Sequence, residues 1–475
     1  MKKLFYFTVL LLLPNVFTVA QRVLTVDEAI SIALEKSYSI QTAKQSLLGT
    51  QKNLEAIKMG LRSSIDMEFD VPRYNRSLSS QFNPVIGTEQ FFSVGNTTVE
   101  GRLNINQPIL FTNGTISITG SIFGRDQFNQ SLTSRDYFSN ISIRLRQPLF
   151  VYNSQLGNLE RAEISFKKSE RNYSQLERDL IYNVTSAFYN LYKAEQSFKI
   201  TEEKVKQNEE SYNTAMNKFK AGLIAEVEAL QLEVDFAGSK NDLLNAKQQY
   251  EEARSEFKYL IGLNIDEKID VSAQLKFTPV ELNIEEAIKA ALDNRAEILN
   301  AQSDLELNKL SMEEIDSRKT IKAEINANYG INKNDNIFDN IFNNFADTRS
   351  VTFTLSVPIW DWGKNSLEVQ SAYANYKIAE LSSENFKKQI VKEIQSAINR
   401  INSAKARVEI LRKSVEVAEK SYSISLERFK SGNITSFNLS LMQLKLTDSK
   451  INNLNAIIDY KLALADLERK TGKKY

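Results

Sequence analysis

Three pairs of adjacent carboxylates, Glu202-Glu203, Glu251-Glu252 and Glu313-Glu314, are the residues of this chain best suited by type to acid–base chemistry. Each pair sits in Lys-rich sequence of helical character, where neighbouring acids make a solvated face. The groups a reaction centre would need beside them are missing. The 475-residue chain contains no Cys and no His. That excludes a Cys nucleophile, a Ser-His-Asp triad and a zinc site of the usual kind, and with them disulfides and an acylated N-terminal Cys. No Gly-rich phosphate loop occurs. The expectation is a protein that is not an enzyme and holds no cofactor and no metal. Lys+Arg is 60 against 59 Asp+Glu, so no net charge draws the chain onto nucleic acid.

The informative spacing belongs to two glycines. FKAGL (219–223) and FKSGN (429–433) each close a long, charged stretch, and Gly222 and Gly432 stand 210 positions apart, from 222 to 432. The same offset relates Phe219 to Phe429, Tyr212 to Tyr422, Tyr250 to Tyr460, Gly262 to Gly472 and Pro148 to Pro358. Upstream, LTVDEAISIAL (24–34) matches LNIEEAIKAAL (282–292) at an offset of 258. The halves share one plan, and the first carries 48 extra residues before Pro148, the difference between 258 and 210. A period this long reads as duplication of one large unit, not as a solenoid.

The elements that must position these glycines are helices. Ile401, Ala404, Val408, Leu411, Val415, Ala418, Tyr422, Ser425 and Phe429 step by threes and fours, as do Leu191, Ala194, Phe198, Thr201, Val205, Asn208, Tyr212, Ala215 and Phe219. Such a seam supercoils with a neighbour. It predicts a helix from about Leu156 to Phe219, on the order of 90 Å long. Gly supplies the left-handed residue that ends a helix, so each glycine is expected to reverse a long helical hairpin. The other reading is one continuous helix with a tolerated Gly.

Between the helices the period changes to two. Segments 65–71, 140–150, 323–331 and 350–360 alternate apolar with polar residues, as in Ile141, Ile143 and Leu145 against Ser142, Arg144 and Arg146. They suit a soluble sandwich edge or a membrane barrel with lipid outside and water inside. Four strands cannot close a wide barrel, so the second setting requires several chains. The extra residues hold two more candidates, 99–109 and 115–124, separated by LFTNG with its Asn-Gly turn signal. They either join the others or lie outside the membrane. At the N-terminus, Lys2-Lys3, a Leu-rich run and Thr18-Val19-Ala20 read as a cleavable signal peptide. Tyr152, Trp360 and Trp362 near the strand ends are candidate interface anchors or core residues.

The ordered, duplicated set, with strand-to-helix junctions QPLFVYNSQLG (147–157) and VPIWDWGKN (357–365) and turns FKAGL and FKSGN, resembles the TolC-like outer-membrane efflux and secretion channels over essentially all of 21–475. The resemblance implies an α+β membrane protein: signal peptide 1–20, then two tandem repeats, 21–275 and 276–475. Each repeat combines long coiled-coil helices with a β-hairpin. It implies a homotrimer in which each chain gives four strands to a shared twelve-stranded outer-membrane β-barrel, above a periplasmic α-helical tunnel. The implied function is the outer-membrane channel of a tripartite efflux or type I secretion system. The implied partners are a periplasmic adaptor (membrane fusion) protein, an inner-membrane pump and outer-membrane lipid. Phe219, Lys220, Gly222 and Leu223, with Phe429, Lys430, Gly432, Asn433 and Ile434, would form the adaptor-contacting tip turns. Pro148, Phe150, Pro358 and Trp360 would mark the strand–helix junctions. Two departures are visible. Where some members carry an acidic ring past the second turn, this chain has Asn438 and Leu441, with Glu228 in the first half. Phe219 and Phe429 stand where a latching Tyr is often found. The competing reading is an exported structural or adhesive coiled-coil protein of the envelope, which accounts for the heptads but not the alternating strands.

Overall fold

A strand with one apolar and one polar face needs backbone partners on both sides. In the computed structural model the chain's own alternating segments supply them for every strand of the sheet except the two at its edges. The structure describes residues 22–129, 132–273 and 275–475; the expected signal peptide lies outside the described residues. In chain order the elements are β1 (Arg22–Leu24), α1 (Val26–Lys36), α2 (Tyr38–Gly60), β2 (Ser64–Asn83), β3 (Thr88–Ile109), β4 (Gly114–Asn129) and β5 (Leu132–Leu149). Then come α3 (Ser154–Lys220), α4 (Glu226–Ile261), β6 (Ile269–Val271), α5 (Ile284–Asn294) and α6 (Ala296–Asp316). The chain ends with β7 (Lys322–Asp335), β8 (Ala346–Ser356), α7 (Lys364–Lys430) and α8 (Ser436–Thr471).

The elements keep both offsets read from the sequence. Helices α3 and α7 are each 67 residues and α4 and α8 each 36, and both pairs start 210 positions apart. Helices α1 and α5, α2 and α6, and strands β2 and β7 start 258 apart. Strand β8, shifted back by 210, falls inside β5. The unmatched strands are therefore β3 and β4, inserted between β2 and β5.

The resemblance implies four strands per chain in the barrel; the sheet of this chain holds six. Six strands form one antiparallel sheet of order β2-β3-β4-β5-β7-β8. The extra residues alternate as the others do, and pairing satisfies their backbone within the same sheet. Most of the strands also outrun the alternating segments, but β8 stops at Ser356, short of the end of 350–360. Strand β2 continues past 65–71 because its pairing with β3 resumes beyond an irregularity between Asp70 and Arg73.

The described chain divides into two compact units, each drawing on both halves of the sequence. One comprises Gln45–Asn172 and Ala296–Lys387. It holds the sheet and the adjoining helix ends, joined by Lys58–Glu163 at 3.0 Å and Arg161–Glu314 at 2.6 Å. The Arg171 guanidinium donates to the Leu299 carbonyl and the Ser303 hydroxyl, both at 2.9 Å. The other unit comprises residues up to Lys44, Tyr173–Arg295 and Lys388–Tyr475. Its α3 and α4 run antiparallel: Phe188 packs on Phe257, Phe198 stacks on Tyr250 and Tyr212 stacks on Phe236. Helices α7 and α8 pair likewise, through Ser414 with Ser449 and Ser421 with Met442. Both glycines thus reverse a hairpin, and no helix continues through them. Leu24, Ala29, Ile32, Leu180, Phe188, Phe257 and Ile261 form one core of this unit. Beside it, β1 and β6 pair in parallel, a contact the sequence reading missed because both are three residues long.

Candidate functional site

Lys218, Phe219 and Gly222 close α3 by a Schellman motif. The Leu223 amide donates to the Lys218 carbonyl at 2.9 Å and the Gly222 amide to the Phe219 carbonyl at 2.9 Å. The second turn repeats this bond for bond: Asn433 to the Arg428 carbonyl at 2.8 Å, Gly432 to the Phe429 carbonyl at 3.0 Å. Gly222 has φ 72° and Gly432 φ 79°, a conformation that favours glycine. No heavy atom lies within 4 Å of a Cβ built at either. The requirement for glycine is therefore conformational and not steric crowding.

The structure brings the two turns together. The Lys218 ammonium donates to the Phe429 carbonyl and stands 4.8 Å from the centre of the Phe429 ring. The Ser436 amide at the start of α8 donates to the Glu228 carboxylate at 3.3 Å, and the Ser440 hydroxyl donates to Asp235 at 2.5 Å. An acid at a helix N-terminus is favourably placed, so Glu228 joins two hairpins. Beneath these contacts Ala215, Ala229, Leu232, Tyr422, Phe429, Leu439 and Leu446 form a second buried cluster.

The expected tip residues separate by burial. Lys220, Gly222, Leu223, Lys430, Gly432 and Asn433 are exposed, and Leu223 keeps 73% of its surface free. Phe219 and Ile434 are half-buried. Phe429 is 1% exposed and works from inside the cluster. Lys218, Asp235 and Ser440 were not singled out by sequence. Lys218 meets its partner 211 residues away, and nothing local marks such a contact.

At the junctions, Pro148 lies within β5 opposite Glu324, and Phe150 beyond it takes φ 58° with an exposed ring. Pro358 and Trp360 are exposed, and Trp360 packs edge-on against Trp362 at 5.6 Å. Tyr152 is half-buried, with the Arg161 guanidinium 5.9 Å from its ring. Asp361 accepts from the Gly363 amide at 2.9 Å and the Asn365 amide at 3.1 Å, capping the entry to α7. These amides hold its carboxyl below the ordinary value, the Asn365 amide foremost. Around the first junction, the Asn113 side-chain oxygen accepts from the Gln155 amide at 3.3 Å, and the Asn153 amide group donates to the Leu110 carbonyl at 2.6 Å. The Asn-Gly signal marked this turn; its grip on α3 is tertiary.

The sheet supplies a surface of two characters. On one face lie Ile65, Met67 and Phe69, then Leu103 and Ile105, Ile118 and Ile122, Ile141 and Ile143, Ala327 and Ile331, and Val351 and Phe353. The large apolar members at its edges are exposed: Phe69 by 66% and Val351 by 78%. On the other face lie Asp66 and Glu68, Arg102 and Asn104, Ser117 and Thr119, Ser142 and Arg144, Asn326 and Asn328, and Ser350 and Thr352. One face is mainly apolar, interrupted by Ser139 on β5 and by Asp347 and Arg349 on β8, and a sheet with such a face has the pattern of a lipid-facing wall. Among the described residues no helix is long and apolar enough to cross a membrane.

Residues 115–263 and 287–473 match the family described as outer membrane efflux protein. No curated protein sequence matches the chain. Among solved structures, the chain is similar to the Campylobacter jejuni CmeC outer membrane channel, with TM-score 0.71, 16% identity, and 94% of this chain and 85% of that one covered. It is similar to the outer membrane protein VceC of Vibrio cholerae, with TM-score 0.69, 14% identity, and 94% and 96% covered. It is also similar to the open state of the Neisseria gonorrhoeae MtrE outer membrane channel, with TM-score 0.68, 16% identity, and 94% and 88% covered. At these identities the structures speak for the fold, while the family match spans most of the chain. The chain belongs to the outer membrane efflux protein family and is an outer-membrane efflux channel.

Proposed function

We propose that three copies of this chain assemble into the outer-membrane component of a tripartite efflux or secretion system. The apolar sheet face meets lipid, the polar face lines the lumen, and the helices extend the conduit into the periplasm. The two turns of each protomer meet a periplasmic adaptor coupled to an inner-membrane pump. Lys220, Gly222, Leu223, Lys430, Gly432 and Asn433 offer the contact surface, while Phe429 and Lys218 hold the hairpins in register beneath it. Residues 21–275 and 276–475 are two copies of one plan, exported by a signal peptide over 1–20. The protein is a conduit with no chemistry of its own. The observation that supports this reading best is the joining of both exposed turns by Lys218 and Phe429 at one end of the hairpins.

Lengthening either turn by a few charged residues is expected to abolish pump-dependent efflux while trimers persist in the outer membrane. Efflux that survives both insertions would remove the turns from adaptor contact.

A further inference from the structure

We propose that the inserted β3–β4 hairpin is part of the membrane wall, so that three copies of six strands close a barrel of eighteen. The copy number rests on the trimeric reading above; the place of the hairpin does not.

The order of the sheet carries the argument. Strand β2 is the counterpart of β7, and β5 is the counterpart of β8, yet β7 pairs with β8 while β2 does not touch β5. Strand β4 pairs with β5 from Thr115–Arg146 to Asn129–Leu132, and β3 pairs with β4 from Ile109–Gly114 to Val94–Asn129. Strand β2 reaches the sheet only through β3. Lifting the hairpin out of the wall would leave β2 and one side of β5 unpaired in lipid, where each orphaned backbone group costs several kcal/mol.

The ends of the hairpin agree. Its turn is bonded to the strand–helix junction: Asn113 accepts from the Gln155 amide, Leu110 from Asn153, and Thr112 exchanges bonds with Gln147, donating its hydroxyl at 2.8 Å and accepting at its carbonyl at 2.8 Å. A hairpin standing beyond the far rim could not reach these residues. Gln107-Pro108 and Gln147-Pro148 also serve alike. Each glutamine donates to the carbonyl of the following proline, at 2.7 and 2.8 Å, and each donates to a loop or helix-end carbonyl at the same rim. Strands β3 and β5 therefore finish at equivalent places.

The faces agree too. Leu103 and Ile105 on β3, and Ile118 and Ile122 on β4, share the apolar face of Ile141 and Ile143, while Asn104 and Thr119 share the polar face of Ser142. Finally, six antiparallel strands leave β2 and β8 running in opposite directions. The β8 edge of one copy then meets the β2 edge of the next antiparallel, and closure leaves no strand edge in lipid. Barrel diameter grows about linearly with strand number, so eighteen strands give a lumen about 1.5 times as wide as twelve. With strands about 4.8 Å apart and tilted about 40°, the backbone diameter is about 36 Å against about 24 Å.

The test is single-particle imaging of the mature protein in lipid nanodiscs, paired with labelling at single cysteines, which the cysteine-free chain permits. A three-fold particle with eighteen wall strands is the expected result. A three-fold particle with twelve, and the hairpin outside the wall, overturns the inference and leaves the trimeric channel intact. A particle of another symmetry, or a lipid-free monomer, overturns the trimeric reading and the count of eighteen with it. Independently of copy number, a dye on Ile118→Cys is expected to lose several-fold emission to nitroxide-labelled lipid, while a dye on Thr119→Cys is not. Ile122→Cys serves if Ile118→Cys fails to assemble. Equal, unquenched emission at both faces overturns the placement of the hairpin.

Discussion

The two turn glycines and the tyrosine beneath them show what single residues contribute. Ala at 222 or 432 meets open space but must hold a positive φ, which costs about 1–2 kcal/mol for a residue with a Cβ. Gly432→Ala is therefore expected to lower the denaturant midpoint, and Gly432→Asn to lower it less, because Asn tolerates this conformation. Equal midpoints for wild type and Gly432→Ala would mean the turn does not need its left-handed residue. Tyr422 is buried on α7, and burial, with Glu210 adding repulsion, pushes its phenol from 10.0 up to about 12. A folded pKa above the unfolded one means the folded state holds the proton more tightly. The stabilisation is complete below pH 10 and is lost as pH rises from about 10 to 12. Tyr422→Phe should lose less stability across that window than wild type, read as Tm against pH; parallel curves would refute the assignment.

At the scale of the element, the paired hairpins depend on one large side chain and one ammonium. Phe429 is fully enclosed, so Phe429→Ala should cost about 3–5 kcal/mol. The loss should concentrate at the turns, because the surrounding cluster is local to them. Hydrogen exchange at the ends of α3 and α7 should accelerate while the core around Phe188 and Phe257 stays protected. Lys218→Met keeps the packing but removes the donor to the Phe429 carbonyl and the cation over the ring. It should loosen the coupling between the turns without unfolding either hairpin. Uniform loss of protection along both helices would show that the turns are not a separate cluster.

For the whole molecule, the contrast between sheet faces is the property that insertion depends on. Ile143 and Ser142 are neighbours on β5 with opposite faces. Ile143→Arg puts a charge on the apolar face, which costs about 2–4 kcal/mol near the midplane if that face meets lipid, and should then deplete heat-modifiable protein from the outer membrane. Ser142→Arg lies on the polar face beside Arg144, the proposed lumen side, and should assemble at near wild-type levels. If both variants assemble equally, the sheet is not a membrane wall. The family match and the fold place the channel in the outer membrane; this pair of variants asks which face of the sheet meets lipid.

Much of this was legible in the chain itself. Helix, strand and turn types follow from periods of three to four and of two, and from glycines at fixed offsets, because those signals reflect backbone geometry within a few residues. Helix α3 begins and ends within two residues of the expected Leu156–Phe219, and α7 ends two residues before Gly432. The Asn-Gly turn at Asn113 was equally visible. Alternation, however, says only that a strand has two faces and nothing about its neighbours. That β4 lies against β5, and that β2 is held by β3 alone, was decided by pairing energies across the assembled sheet. Likewise Lys218 reaches Phe429, and Glu228 the first turn of α8, across more than two hundred residues. Such contacts exist only once both hairpins have formed, so the tertiary structure alone decided how the turns are coupled and how many strands the sheet contains.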